Sequence, residues 1–257
     1  MASALPRAVL PSLAHAPASQ WAHVYEPQED TWLLCDALLR DRTLLTAVPR
    51  ALAAEVGPGS GVVSAFLLQL LSSAPTHQLV QPPRLTVGGG SSPPAPPPAP
   101  PPPTTLLLMV DVNPAAVSAA LATCASTCPG ASVEGVVGDL LSPLRLPPGS
   151  LDVLLFNPPY VPTTDEEQAA AGGGAAAAWA GGADGLRVTA RLLARLPALL
   201  APGGLAYVVL VEENDPVAVV DGLRQAGLEA DVVARVVAHN ERLCVVRATL
   251  RAGQPGA

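Results

Sequence analysis

Aromatic side chains make up 3% of the 257-residue sequence and charged ones 14%, against 49% apolar residues. A chain with so little charge and so much apolar surface is packed rather than disordered, and its length suits one ordinary α/β domain with a sizeable core. Long apolar runs are missing as well. The longest, such as LDVLLF at Leu151–Phe156, fall far short of the roughly 18 residues a bilayer-spanning helix needs, so a soluble protein with no membrane association is expected. Positive charge is also scarce, with 14 basic against 21 acidic residues and a net charge of −7. Nonspecific affinity for DNA or RNA comes mainly from basic residues neutralising phosphates, so the charge argues against a general polyanion-binding surface, leaving room only for a local basic patch.

Cysteine is sparse and unpatterned. Cys35, Cys124, Cys128 and Cys244 form no C-x-x-C pair, and no secretory leader precedes them, so they are expected to be reduced and mostly buried. Cys124 and Cys128 stand one helical turn apart, but His77 and His239 offer no matching spacing; no metal site is expected.

Proline and glycine, by contrast, are abundant, at 30 and 22 residues. Twelve of the prolines fall in Ser72–Thr104, together with a Gly/Ser block. Such a segment buries too little to offset its ordering entropy, and is expected to be a disordered insert, extended where proline-rich. The Ala/Gly-rich stretch Glu166–Gly182 reads as a mobile loop. Residues 1–24 read as a disordered N-terminal tail, leaving one domain over 25–257 interrupted at 72–104. The first twenty residues have no acid and a single basic residue, Arg7, which leaves organelle import open.

Outside these segments strand and helix patterns alternate. Ala51–Val56 reads as a strand, followed by Val62, Val63, Phe66, Leu67, Leu70 and Leu71 at helical spacing. Thr105–Asp111 is a buried strand; Asn113 then caps a helix with Pro114 in its first position. Strands follow at Ser132–Asp139 and Leu151–Phe156. A helix from about Asp184 carries Arg187, Arg191 and Arg195 on one face and Leu192, Leu196 and Leu199 on another, and ends at Gly203 and Gly204. A strand at Leu205–Asn214, a helix at Pro216–Ala226 and strands at Ala230–Val237 and Arg242–Leu250 complete the count. The alternation implies a mostly parallel, doubly wound sheet with helices on both faces.

Ligands of such sheets sit beyond the carboxyl ends of the strands. Three signals lie there. The turn EVGPGSG, Glu55–Gly61, carries Gly57, Gly59 and Gly61, which allow a ligand close to the backbone. No Gly-Lys-Ser/Thr follows, and Val62 stands where the third glycine of a dinucleotide site belongs, so neither phosphate motif applies. Asp111, at the end of the second strand, is placed to accept ribose hydroxyls, an acid expected about 20 residues after the glycines. It lies 54 residues beyond Gly57, but leaving out the 33-residue Ser72–Thr104 segment brings the gap to 21. Asp139 ends the third strand, where it could accept from a ligand amine.

A buried strand also runs into Asn157-Pro158-Pro159-Tyr160. Proline fixes φ near about −65°, removes an N–H and pushes the preceding residue into extended conformation, making a rigid turn with free polar groups.

Together these residues resemble class I S-adenosylmethionine-dependent methyltransferases, within them the HemK-type enzymes that modify the glutamine amide of translation termination factors. The stretches Val24–Leu38, Glu55–Leu67, Asp111–Ala116, Phe156–Val161 and Ala177–Gly185 are similar to the eukaryotic or archaeal branch. That resemblance implies a seven-stranded Rossmann-like fold and methyl transfer to the glutamine of the Gly-Gly-Gln loop of the class I termination factor. Thr31, Glu55, Gly57, Gly59, Asp111, Asp139, Leu140 and Asn157 would hold S-adenosylmethionine. Asn157, Pro158, Pro159 and Tyr160 would hold the acceptor, with Asn157, Pro158 and Tyr160 catalytic. Pro58 and the long insert depart from the pattern.

The same turn also serves adenine-N6 methylation of nucleic acid, which the negative charge disfavours, and lysine methylation remains a further enzyme alternative. A catalytically silent binding subunit would have lost Asn157 or the glycines, and both are present. In the strand order of this class the strand Ser132–Asp139 lies at a sheet edge, with Val133, Val136 and Val137 apolar and only Glu134 charged before Asp139. The resembled branch works with a small zinc-binding activator subunit, so a heterodimer and a poorly soluble isolated chain are expected. Cytoplasmic, and also nuclear, residence goes with that resemblance.

Overall fold

The computed structural model describes residues 11, 13, 21, 23–47, 51–72, 105–160, 185–238 and 241–251. Residues 73–104 of the proline-rich segment and the loop Glu166–Gly182 lie outside the described residues, and the readings of them remain expectations. The helices are α1 (Glu29–Arg40), α2 (Arg42–Thr46), α3 (Val62–Ser72), α4 (Pro114–Thr127), α5 (Arg187–Leu193), α6 (Leu196–Leu199) and α7 (Pro216–Gln225). The strands are β1 (Leu52–Val56), β2 (Leu106–Asp111), β3 (Ser132–Val137), β4 (Leu151–Phe156), β5 (Leu200–Val211), β6 (Glu229–Ala238) and β7 (Glu241–Thr249). They form one sheet in the order β3-β2-β1-β4-β5-β7-β6. All neighbours are parallel except β7, which runs antiparallel to β5 and β6. The seven-stranded, mostly parallel fold expected from the sequence is the fold present.

Strand residues alternate between two cores, as a pleated strand buried on both faces must. Leu107, Met109, Val153, Leu155, Leu205 and Tyr207 join α1 and α3 on one face. Val110, Leu154, Phe156, Ala206 and Val208 pack with Leu192, Leu196, Val220 and Leu223 on the other. Register between β1 and β4 is reinforced from a side chain, since Asp152 Oδ2 accepts the N–H groups of Ala51 and Leu52 at 2.8 and 2.9 Å. The Asn113 cap is present: its side chain accepts the Ala115 N–H at 2.9 Å, with Pro114 in the first turn. Among the described residues no helix is long and apolar enough to cross a membrane.

Three element boundaries differ from expectation. Pro197 has no N–H and clashes with the preceding turn, so the helix from about Asp184 is two pieces, α5 and α6. Gly203 and Gly204 do not end it. They lie inside β5, where a Cβ on Gly204 would come within 2.6 Å of the Leu151 carbonyl oxygen. The expected strand through Asn214 stops at Val211, and Glu212–Asn214 form a 3₁₀ turn.

Of the segment 1–24 read as a tail, only residues 11, 13, 21, 23 and 24 are described. Val24 is buried against Ala116 and Ala119 of α4, with Trp21 packed beside it, and the His23 carbonyl accepts from Asn113 Nδ2 at 2.7 Å. Apolar burial on α4 orders this stretch. Helix α1 is absent from the periodicity reading, although Leu33, Leu34, Ala37 and Leu38 bury one of its faces and Glu29 and Asp30 occupy its first turn.

Candidate active site

The carboxyl ends of β1, β2 and β3 form one side of the site. The turn from β1 into α3 holds Gly57 at φ 66° and Gly61 at φ 79°. Gly61 is required on two grounds: its positive φ, and the 2.5 Å that a Cβ would leave to Ala120 Cα. Its bareness lets α3 start against α4. The Gly57 N–H donates to the Val110 carbonyl at 2.8 Å, and a Cβ there would stand 3.7 Å from the Asn157 carbonyl oxygen. The glycine turn and the proline turn therefore lie next to one another.

Glu55 is 1% exposed, and Ser64 on α3 donates to its Oε2. Burial pushes its carboxyl up to about 8, the Ser64 hydrogen bond works against that, and the charge of Asp111 adds to it. Asp111 ends β2, and the Val56–Val110 pairing brings it level with Gly57, the juxtaposition the insert-corrected spacing implies. Its Oδ1 accepts the Asn113 N–H at 2.9 Å. Burial raises its carboxyl above the usual range, opposed by the N–H groups of Asn113, Gly59 and Val112. Asp139 sits just past β3 on the surface, ion-paired with Arg191 of α5. Leu140 beside it is buried with φ 52°, an outlying conformation for a branched side chain; Ser142 holds this turn through the Asp139 carbonyl at 2.6 Å.

The other side is the turn Asn157–Tyr160 after β4. Asn157 Nδ2 donates to Asp30 Oδ2 at 2.8 Å, and Tyr160 Oη donates to the same oxygen at 3.3 Å. Tyr25 Oη reaches it too, at 3.0 Å. Thr31, expected at the donor site, spends its groups on Asp30 Oδ1, with the backbone N–H at 2.6 Å and the hydroxyl at 3.2 Å. Tyr25 and Tyr160 are both pushed above the usual phenol range, chiefly by burial and next by the charge of Asp30, so both stay O–H donors. From the opposite side Asn214 Nδ2 donates to the Tyr160 carbonyl at 3.4 Å, while its Oδ1 accepts the Val211 N–H. Pro158 is buried and Pro159 half-buried.

A carboxylate only accepts hydrogen bonds, so the face of the Asn157 amide toward Asp30 is its NH₂. Its Oδ1 is left buried with no hydrogen-bond partner. A buried acceptor without a donor costs stability and marks a place prepared for a ligand N–H. Sequence reasoning missed Asp30, Tyr25 and Asn214. The acid in the first turn of α1 was the available signal for Asp30.

Among the described residues no group of three or more His, Cys, Asp or Glu is placed for a metal ion. Cys124 is packed against Met109, with the sulfurs 4.0 Å apart.

A seven-stranded sheet with a glycine turn, strand-end acids and an Asn-Pro-Pro-Tyr turn meeting at its carboxyl edge defines a class I methyltransferase. The comparisons narrow this. No family model matches the sequence. Methyltransferase HEMK2 of Mus musculus is 36% identical over 246 residues, covering 95% of this chain and 98% of that protein. The eRF1 methyltransferase catalytic subunit mtq2 of Schizosaccharomyces pombe is 30% identical over 89% of this chain and 90% of that protein. The chain belongs to the HEMK2 family of methyltransferases. Among solved structures, the Mtq2–Trm112 complex of E. cuniculi shares the fold, with a TM-score of 0.54 at 22% identity over 88% of this chain and 98% of that one.

Proposed function

We propose that the protein transfers a methyl group from S-adenosylmethionine to the glutamine side-chain amide in the Gly-Gly-Gln loop of the class I termination factor. The observation that carries this reading is the buried, unpartnered Asn157 Oδ1 on a turn next to the glycine turn. The residues of the donor side fit the cofactor. Positive-φ glycines leave room for it at the backbone, and the acids Glu55 and Asp111 suit a cationic molecule with ribose hydroxyls. When bound, S-adenosylmethionine supplies an electrophilic sulfonium methyl. Asp111 would accept from the ribose, Asp139 and Leu140 would border the adenine, and Glu55 with Gly57 and Gly59 would border the methionine part.

An amide nitrogen is a weak nucleophile because its lone pair is delocalised into its carbonyl. Asn157 Oδ1 accepts one acceptor N–H, which aims the nitrogen at the methyl and stabilises the positive charge that grows on it. The acceptor nitrogen would take the methyl as the donor's S–C bond breaks, and the displaced N–H proton would pass to solvent. Pro158 and Pro159 keep backbone donors out of this space, and Tyr160 closes it.

A partner subunit belongs to the same reading. Strand β3 is an edge of the sheet, and at its end Val137, paired with Asp111 of β2, is 53% exposed, as is Val112 after β2 at 51%; Val133 and Val136 instead pack on the two cores. An edge with unpaired backbone groups and apolar side chains suits a covering protein, here a small zinc-binding activator subunit like the one in the resembled branch. The deciding experiment incubates the heterodimer with methyl-labelled donor and termination factor. Label should enter the wild-type factor and not one whose Gly-Gly-Gln glutamine is changed; equal labelling of both would reject the substrate.

A further inference from the structure

The geometry points to Asp30 as the residue that positions Asn157 and thereby selects nitrogen, rather than oxygen, as the acceptor atom. This rests on the amide-acceptor reading above. An asparagine amide can sit in either of two orientations, and at Asn157 they have opposite consequences. With Oδ1 toward the acceptor, the site takes an N–H and turns the substrate nitrogen inward. With NH₂ toward the acceptor, it donates to the substrate carbonyl and turns the oxygen inward. The prolines withhold backbone donors from this space but do not fix which end of the Asn157 amide faces it.

Asp30 does. It is 2% exposed, and five donors surround it: the Thr31 N–H and hydroxyl on Oδ1, and Asn157 Nδ2, Tyr25 Oη and Tyr160 Oη on Oδ2. Flipping Asn157 would set its Oδ1 against a carboxylate oxygen at 2.8 Å and leave both without a donor between them. A carboxylate offers about four lone-pair positions. With those occupied, none is open to take the substrate proton, so Asp30 is a positioning residue and not a general base. The tyrosines contribute to the same end: as neutral donors they hold the carboxylate in the plane that faces Asn157.

Asp30→Asn keeps shape and volume but puts an NH₂ into the cluster, which removes the preference between the two orientations. In the heterodimer acting on termination factor, the variant should keep donor affinity and melting temperature close to wild type while kcat falls at least tenfold. In an Asn157→Ala background the same change should cost nothing more, because there is no amide left to orient. Tyr25→Phe, which removes one of the donors that hold the carboxylate but leaves Asp30 an acceptor for the Asn157 NH₂, should lower kcat less than Asp30→Asn does. A second readout needs no turnover. In ¹⁵N spectra the Asn157 side-chain NH₂ signal, assigned by its loss in Asn157→Ala, should exchange slowly with solvent in wild type and at least tenfold faster in Asp30→Asn. Unchanged kcat and unchanged exchange in Asp30→Asn would overturn the inference, as would an equal loss in the Asn157→Ala background. Failure of wild type to label termination factor would instead count against the substrate, with the exchange experiment still deciding the role of Asp30.

Discussion

The donor side and the acceptor turn are both built from polar side chains at strand ends, but they are held in place over different distances along the chain. Glu55 is held by Ser64, nine residues away, and Asp111 by Asn113, two residues away. Asn157 and Tyr160 hang on Asp30, 127 and 130 residues away. Groups close in sequence therefore hold Glu55 and, with the Gly59 N–H, Asp111, whereas the acceptor turn takes its geometry from how α1 docks on the sheet. Disturbing the acceptor turn should impair chemistry while leaving donor affinity, and disturbing the strand-end acids should do the reverse.

The largest expected effect is at Asn157. Removing one preorganised contact to developing charge costs roughly 10²-fold or more in rate, so Asn157→Ala should lose that much kcat. Its donor affinity, measured by calorimetry, should remain within a few fold. Matched losses of rate and affinity would mean the two halves are not separable.

Asp111→Ala is the complementary case. A hydrogen bond to a charged group contributes about 1.5 to 3 kcal/mol, so donor binding should weaken by roughly tenfold to 150-fold, with turnover at saturating donor little changed. Unaltered affinity would remove Asp111 from the ribose position, and the spacing argument with it.

That spacing argument shows what the sequence made legible. The alternation of strands and helices and the Asn113 cap follow from local periodicity and turn chemistry, the strand order only from the resemblance to a known class, and Asp111 from a count corrected for one anomalous segment. Asp30 was hidden because nothing near it in sequence reveals its partners. An acid in the first turn of a helix is ordinarily explained by the helix dipole, and only docking of α1 brings it to Asn157. The break at Pro197 was legible in principle. The start of β5 at Leu200 was not, because the strand begins through pairing with Leu151, a tertiary choice that overrides the two glycines.

Donor binding should also report the state of Glu55. Burial pushes its folded carboxyl up to about 8, against an ordinary 4.5. The folded protein therefore holds a proton that the unfolded chain releases, and stability without donor should fall as pH rises from about 5 to 8. A cationic donor favours the ionised form, so binding expels that proton. Affinity should rise with pH by up to roughly tenfold per unit below pH 8, and calorimetry in buffers of different ionisation enthalpy should register the release. A flat affinity between pH 6 and 8, or a dependence that survives Glu55→Gln, would place the donor's charges away from this acid.

The smallest effect tests how local the donor side is. Asn113 caps α4 through Ala115, and its other amide end reaches the His23 carbonyl at 2.7 Å, tying the segment before Tyr25 to the residue two past Asp111. Loss of an N-cap costs about 1 kcal/mol, so Asn113→Ala should lower the melting temperature by a few degrees. Asn113→Asp keeps the cap but replaces the tether to His23 by a carboxylate oxygen facing its carbonyl. If the segment from Trp21 to Tyr25 is held mainly by Val24 packing on α4, Asn113→Asp should leave both kcat and donor affinity near wild type. If instead the tether sets the height of Tyr25 over Gly59, where a Cβ would lie 3.9 Å from the Tyr25 Cβ, kcat should fall while the melting temperature holds. That outcome would make the acceptor turn dependent on the donor side and end the clean division between them.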